Sequence, residues 1–168
     1  AKPRFGKTLT TYDLIRQMDF KSVLIVTNRP AIANSWFDDF EKFISWQSDF
    51  LFVSKSESLK DRKTLSRDEF IDIAQKDEKA KLISFISLQD LKGSIHFGGG
   101  YSKLKWVKDT KWDLLVIDEA HEGVDTLKTD VAFRNIQRNH TLHLSGTPFK
   151  QLGSGQFSEE QIYNLSLI

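Results

Sequence analysis

Apolar positions along this chain fall into two kinds of stretch, short unbroken runs and longer amphipathic ones, and they alternate. Residues 23–26 (Val-Leu-Ile-Val), 50–53, 81–87 and 114–117 (Leu-Leu-Val-Ile) are runs of strand length with few polar interruptions. Such runs predict strands buried on both faces. Residues 141–144 predict one more, ending at Ser145-Gly146-Thr147-Pro148. Between them the period changes. Ala33, Trp36, Phe37, Phe40, Phe43 and Ile44 recur at steps of three and four with Asp38, Asp39, Glu41 and Lys42 between, which predicts an amphipathic helix with Pro30 in its first turn. Leu9, Tyr12, Ile15 and Met18 predict a helix running from Lys7 to about Asp19. Ser66 followed by Glu69 is a capping-box pattern opening a helix through Phe70, Ile71 and Ala74. Residues 101–108 predict a short helix with Leu104 and Val107 inward, and residues 127–138 another. Residues 54–64 and the glycine-rich 93–100 read as surface loops. Strands alternating with helices predict an α/β fold of three layers, α/β/α, around a mainly parallel central sheet.

Composition narrows this little. A length of 168 residues suits one domain, and Lys plus Arg at 24 against Asp plus Glu at 23 leaves a net charge of +1. Bulk charge therefore gives no reason to expect a polyanion, and a nucleic-acid partner has to be argued from motifs. The chain has no Cys, which removes disulfides and thiolate metal sites. No run approaches the roughly 18 apolar residues of a membrane span, and the expectation is a cytoplasmic protein. Thirteen Phe are expected to pack the core. Lys103, Lys105, Lys108 and Lys111 interleave with Trp106 and Trp112, which we read as a solvated face beside two core tryptophans rather than a nucleic-acid platform.

Two stretches carry chemistry. In residues 114–121 four apolar residues lead into Asp118, Glu119 and, two further on, His121. A buried parallel strand that ends in acids delivers them to the carboxyl edge of the sheet, where open α/β sheets hold ligands. Adjacent buried carboxylates need a cation, either a bound metal or a Lys or Arg partner. Residues 1–8, Ala1-Lys2-Pro3-Arg4-Phe5-Gly6-Lys7-Thr8, match the phosphate-loop pattern GxxxxGK[ST] except at the first position, where Ala replaces Gly. In such a loop backbone N–H groups converge on phosphate oxygens at a helix N-terminus, the Lys adds a point charge and the hydroxyl binds Mg2+. Lys7 and Thr8 have those roles here. Asp118 would hold the metal and Glu119 would polarise the attacking water. His96, His140 and His143 share no metal-ligand spacing and are expected to be structural.

Phosphate loop, Thr-Asn-Arg-Pro at 27–30, Ile-Asp-Glu-Ala-His at 117–121 and Ser-Gly-Thr-Pro at 145–148 stand in an order that resembles the first RecA-like domain of superfamily two helicases and translocases. More narrowly the chain resembles the DEAH-box motor subunits of restriction enzymes. The resemblance implies a P-loop ATPase using ATP and Mg2+, with catalytic Lys7, Asp118, Glu119 and His121, and with Ser145 and Thr147 coupling hydrolysis to movement. It places Asn28, Arg29 and Pro30, and also Ser87 and Gln89, at nucleic-acid backbone contacts, which would not be sequence-specific. Such contacts do not separate DNA from RNA, and the preference for DNA comes from the resemblance. It also implies restriction-modification subunits as partners and a second RecA-like domain. We therefore expect residues 1–152 to form the first such domain, lacking its first strand, and residues 153–168 to begin a linker to the second. The second domain contributes arginines to the transition state in this family, so the chain by itself is expected to turn ATP over weakly or only to bind it; losing an arginine finger costs about 10³ to 10⁵ in rate.

Overall fold

The computed structural model describes residues 3–27, 32–45, 49–55, 59–97, 99–100, 104–118 and 132–144. Their elements in chain order are α1 (Pro3–Gln17), β1 (Ser22–Thr27), α2 (Ala33–Phe43), β2 (Phe50–Val53), α3 (Arg67–Lys76), β3 (Lys81–Ser87), α4 (Leu88–Gly93), a 3-10 helix (Ile95–Phe97), α5 (Lys105–Asp109), β4 (Trp112–Asp118) and β5 (Arg138–Leu144). The five strands form one sheet in the order β2-β3-β1-β4-β5, and every pairing is parallel. The α/β architecture expected from the apolar runs is therefore the observed one.

Alternation along the strands sorts the core into two faces. Val23 and Ile25 of β1, Ile83 and Phe85 of β3, and Leu114 and Val116 of β4 pack beneath α1 and α2 with Tyr12, Ile15, Trp36, Phe37 and Phe40. Leu24, Val26, Leu82, Ile86, Leu115 and Ile117 face the other way, onto Leu88, Leu91, Phe97 and Val107. Burial on both sides is why these strands read as unbroken apolar runs. Around Phe52 the first face is aromatic, with Phe37 and Phe40 at centroid distances of 5.2 and 5.3 Å. Among the described residues no helix is long and apolar enough to cross a membrane.

The capping box is present as expected. Ser66 Oγ accepts from the Glu69 N–H, and the Glu69 carboxylate accepts from the Ser66 N–H at 2.9 Å. Those bonds, first that from the Ser66 backbone, hold the Glu69 carboxyl below its ordinary value.

Several elements differ from expectation for identifiable reasons. α1 begins at Pro3 rather than Lys7, so residues 3–6 form its first turn. Proline's fixed φ suits that position, and Ala1 lacks the backbone freedom of the glycine that usually opens such a loop. Its buried face is Thr8, Thr11, Tyr12 and Ile15, while Met18 is exposed. Steps of three residues drift by about 60° each around an α-helix, so Leu9 and Met18 cannot share a face. On α2 the same stripe holds through Phe40, but Phe43 is turned out and Ile44 is buried beyond the helix end.

Residues 93–97 hold the end of α4 and a 3-10 helix where a glycine-rich loop is expected. Ser87 caps α4 by accepting from the Asp90 N–H at 3.1 Å, and Leu88, Leu91 and Phe97 are buried beneath the second face. The Gly99 N–H reaches the Ser94 carbonyl at 2.7 Å, and a Cβ on Gly99 would run into the backbone of Lys92 and Gly93. α5 begins at Lys105, after Leu104 in the left-handed region at φ 63°. Of residues 127–138, those before 132 lie outside the description; a helical turn ends at Arg134, and β5 begins at Arg138. The Arg138 guanidinium takes up the carbonyls of Phe133 and Ile136, which ends that turn and leads the chain into the sheet.

Arg62 clips the polar loop after β2 to α2, and Leu59, 1% exposed, anchors that loop in the core. Arg62 donates to Asn34 at 2.7 Å, pairs with Asp38, and lies over the Phe37 ring at 4.7 Å. No apolar period marks this clip, and sequence alone missed it.

Candidate functional site

Register, rather than any one residue, builds the candidate site. Ser87 of β3 stands beside Thr27 of β1, Thr27 beside Asp118 of β4, and Asp118 beside Leu144 of β5. Three polar side chains thus end three adjacent strands at one level of the carboxyl edge. Thr27 and Asp118 continue the alternation of Ile25 and Val116, so both belong to the face covered by α1 and α2. α1 brings Thr8 to that same face, where its side chain is buried. Four apolar residues of β4, Leu114 to Ile117, are each almost wholly buried and fix Asp118 in a position only 3% exposed.

A carboxylate that buried needs polar partners, because stripping water from an unpaired charge costs several kcal/mol. One partner is Trp36 on α2, whose indole Nε1–H donates to Asp118 Oδ2 at 3.0 Å. Trp36 is itself 1% exposed, and it is tied to α1: the Tyr12 hydroxyl donates to the Trp36 carbonyl at 2.7 Å, and the two rings meet edge-on at 5.5 Å. Burial, with the nearby Asp39 carboxylate adding to it, pushes the Tyr12 phenol well above its ordinary value, so it remains a donor. Asp39, buried on α2, is also raised by burial, an effect that Lys42 opposes.

Trp36 is the site residue that sequence reasoning missed. The α2 stripe places it in the core, and it is there. A buried indole N–H nevertheless requires an acceptor. That signal was present in the sequence; which acceptor it would reach depends on how α2 crosses the end of β4.

The other expected site residues divide clearly. Pro3, Arg4, Phe5, Gly6 and Lys7 enter as backbone of α1. Ser87 is 5% exposed with its hydroxyl engaged as the cap of α4, and Gln89 is exposed on the first turn of that helix. Ala1, Lys2, Asn28, Arg29, Pro30, Glu119, His121, Ser145 and Thr147 lie outside the described residues. Away from the edge, His140 packs its ring against Phe20 at 5.4 Å. Trp112 is fully buried, Trp106 half-buried, and Lys105, Lys108 and Lys111 are exposed, the arrangement of a solvated face beside core aromatics.

The donor set fits magnesium. Mg2+ takes oxygen ligands, keeps much of its water and is usually held by one or two carboxylates together with substrate phosphates. Asp118 and the Thr8 hydroxyl, both buried on the same face of the sheet, are oxygen donors of that kind. Among the described residues, no three His, Asp or Glu side chains converge into an all-protein metal cage.

The sequence profile of the type III restriction enzyme res subunit matches residues 5–150. The chain is also similar to a Mycoplasma pneumoniae protein whose name describes the C-terminal part of a type II restriction enzyme and methyltransferase. Those two are 21% identical over 207 aligned residues, which take in 99% of this chain and 27% of that protein. The chain thus spans about a quarter of the length of that relative.

Proposed function

Because this chain belongs to the type III restriction enzyme res subunit family, a family of the helicase superfamily, we propose that it is the nucleotide-binding half of a DNA translocase motor. Residues 1–152 make up the first RecA-like domain, and residues 153–168 lead into a second. Lys7 and the N-terminal turn of α1, within residues 1–8, bind the ATP phosphates, Thr8 and Asp118 hold Mg2+, and Glu119 orients the attacking water. Bound Mg2+ supplies charge stabilisation at the phosphates. His121, Ser145 and Thr147 link hydrolysis to movement, and Asn28, Arg29, Pro30, Ser87 and Gln89 line the path of the nucleic-acid backbone. Restriction-modification subunits are the expected partners of the whole protein.

The observation that carries this reading is the burial of Asp118 at the carboxyl edge, on the face that α1 covers with Thr8. A strand-end carboxylate and a helix hydroxyl on one face of the sheet suit a metal–phosphate group. Ser87 suits a backbone contact through its place at the start of α4, with the cap already made.

The test is steady-state ATP hydrolysis with duplex DNA, single-stranded DNA or RNA added in turn. Duplex DNA is expected to stimulate it. Stimulation by RNA alone would retain the motor and remove the restriction assignment. No hydrolysis under any condition, with nucleotide still bound, would leave a binding module.

A further inference from the structure

We propose that Trp36 is a positioning residue for the metal-binding carboxylate, and that through it α2 sets the relation between the two oxygen donors of the site. The inference rests on the magnesium–nucleotide reading above and adds to it a residue outside every motif of the chain.

Geometry carries the argument. Trp36 lies between the two elements that supply the donors. Its indole N–H holds Asp118 Oδ2 at 3.0 Å, and its carbonyl accepts the Tyr12 hydroxyl at 2.7 Å. Tyr12 is one turn beyond Thr8 on the same buried face of α1. Helix α1, the indole and the end of β4 are thereby linked through two hydrogen bonds and an edge-on ring contact. With all three side chains between 1% and 3% exposed, they have no solvent into which to turn.

The chemistry of the donor matters as much as its place. An indole N–H donates and cannot accept, so it fixes the orientation of a carboxylate through one oxygen. It is also neutral. An ammonium or guanidinium at that position would pair with the carboxylate's charge and compete with a metal for it; an indole orients the group and brings no charge of its own. Phe at position 36 would fill most of the same space and make no hydrogen bond.

The experiment is Mn2+ binding, followed by electron paramagnetic resonance, in the presence of a non-hydrolysable ATP analogue. Wild type is compared with Trp36→Phe. Loss of an outer partner of a metal ligand typically weakens metal binding about 10- to 100-fold, and a loss of at least about 10-fold is expected here. Mn2+ affinity within twofold of wild type in the folded variant would overturn the proposal, since lost packing alone lowers the melting temperature without moving the metal constant. Should the variant fail to fold, proton–nitrogen spectra of the wild type decide. The Trp36 indole N–H must then shift on adding Mg2+ and nucleotide by more than those of Trp46, Trp106 and Trp112; an unmoved Trp36 resonance would overturn the proposal. Wild type that binds no Mn2+ with nucleotide would instead remove the function reading, and this inference with it.

Discussion

Replacing Asp118 with Asn is expected to lower ATP turnover by about 10³-fold while leaving the fold intact. The asymmetry follows from the two demands on this side chain. Structurally it must accept the Trp36 indole N–H at 3.0 Å in a site 3% exposed, and an asparagine carbonyl oxygen of the same shape accepts that bond. On the function proposed above it also supplies negative charge to a cation, and asparagine has none. Removing a single preorganised electrostatic group from an active site costs about 10² to 10³ in kcat, and a metal ligand belongs at the upper end. Glu119→Gln should separate from it: the metal and nucleotide stay bound and the water loses its orienting base, so bound ATP remains uncleaved. Both turnover and thermal melting are needed. A melting temperature near wild type with turnover down by the stated factor supports the assignment, whereas an Asn variant that hydrolyses ATP within tenfold of wild type removes Asp118 from the site.

The largest effect on stability is expected at the other end of the same strand. Trp112→Ala should destabilise the domain by about 3–5 kcal/mol, the range for emptying a buried aromatic site, and lower the melting temperature by on the order of 10 °C. Trp112 is wholly buried, its indole N–H donates to the Val107 carbonyl at 3.1 Å, and its backbone N–H reaches the Gln137 carbonyl at 2.8 Å. It therefore joins α5 to β4 and meets the chain as it enters β5. Alanine would leave a cavity beneath Trp106, whose ring stands 5.8 Å away. Trp106→Ala should cost less, because that ring is only partly buried. Thermal unfolding of the two variants checks the order. If Trp112→Ala melts like wild type and loses affinity for DNA, the interleaved lysines and tryptophans are a binding platform and not a core edge.

What the sequence made legible, and what it did not, follows from the range of each interaction. Strands β1, β3 and β4 are apolar runs because both of their faces are covered, and a run followed at once by an acid locates Asp118 at a strand end without any tertiary knowledge. Ser66 and Glu69 are three residues apart, so their reciprocal bonds were equally readable. The Trp36–Asp118 bond joins residues 82 apart in the chain, and the Arg62 bonds to α2 span 24 and 28. No local pattern encodes these distances. α4 was missed because six residues with a glycine at the end are too few to display a period. On α1 the error was one of phase: the apolar residues Leu9 and Met18 suggested one face, while the residues that are buried include two threonines. Polar residues lie on that buried face where a functional site is expected to adjoin it, and a purely hydrophobic reading fails at such places.

The most direct test of the account is equilibrium binding of a non-hydrolysable ATP analogue, with and without Mg2+, to wild type and to Lys7→Ala. One-to-one binding that strengthens with Mg2+ and is lost in Lys7→Ala is expected. Absence of binding in wild type, or binding that neither Mg2+ nor the Lys7 substitution alters, would contradict it.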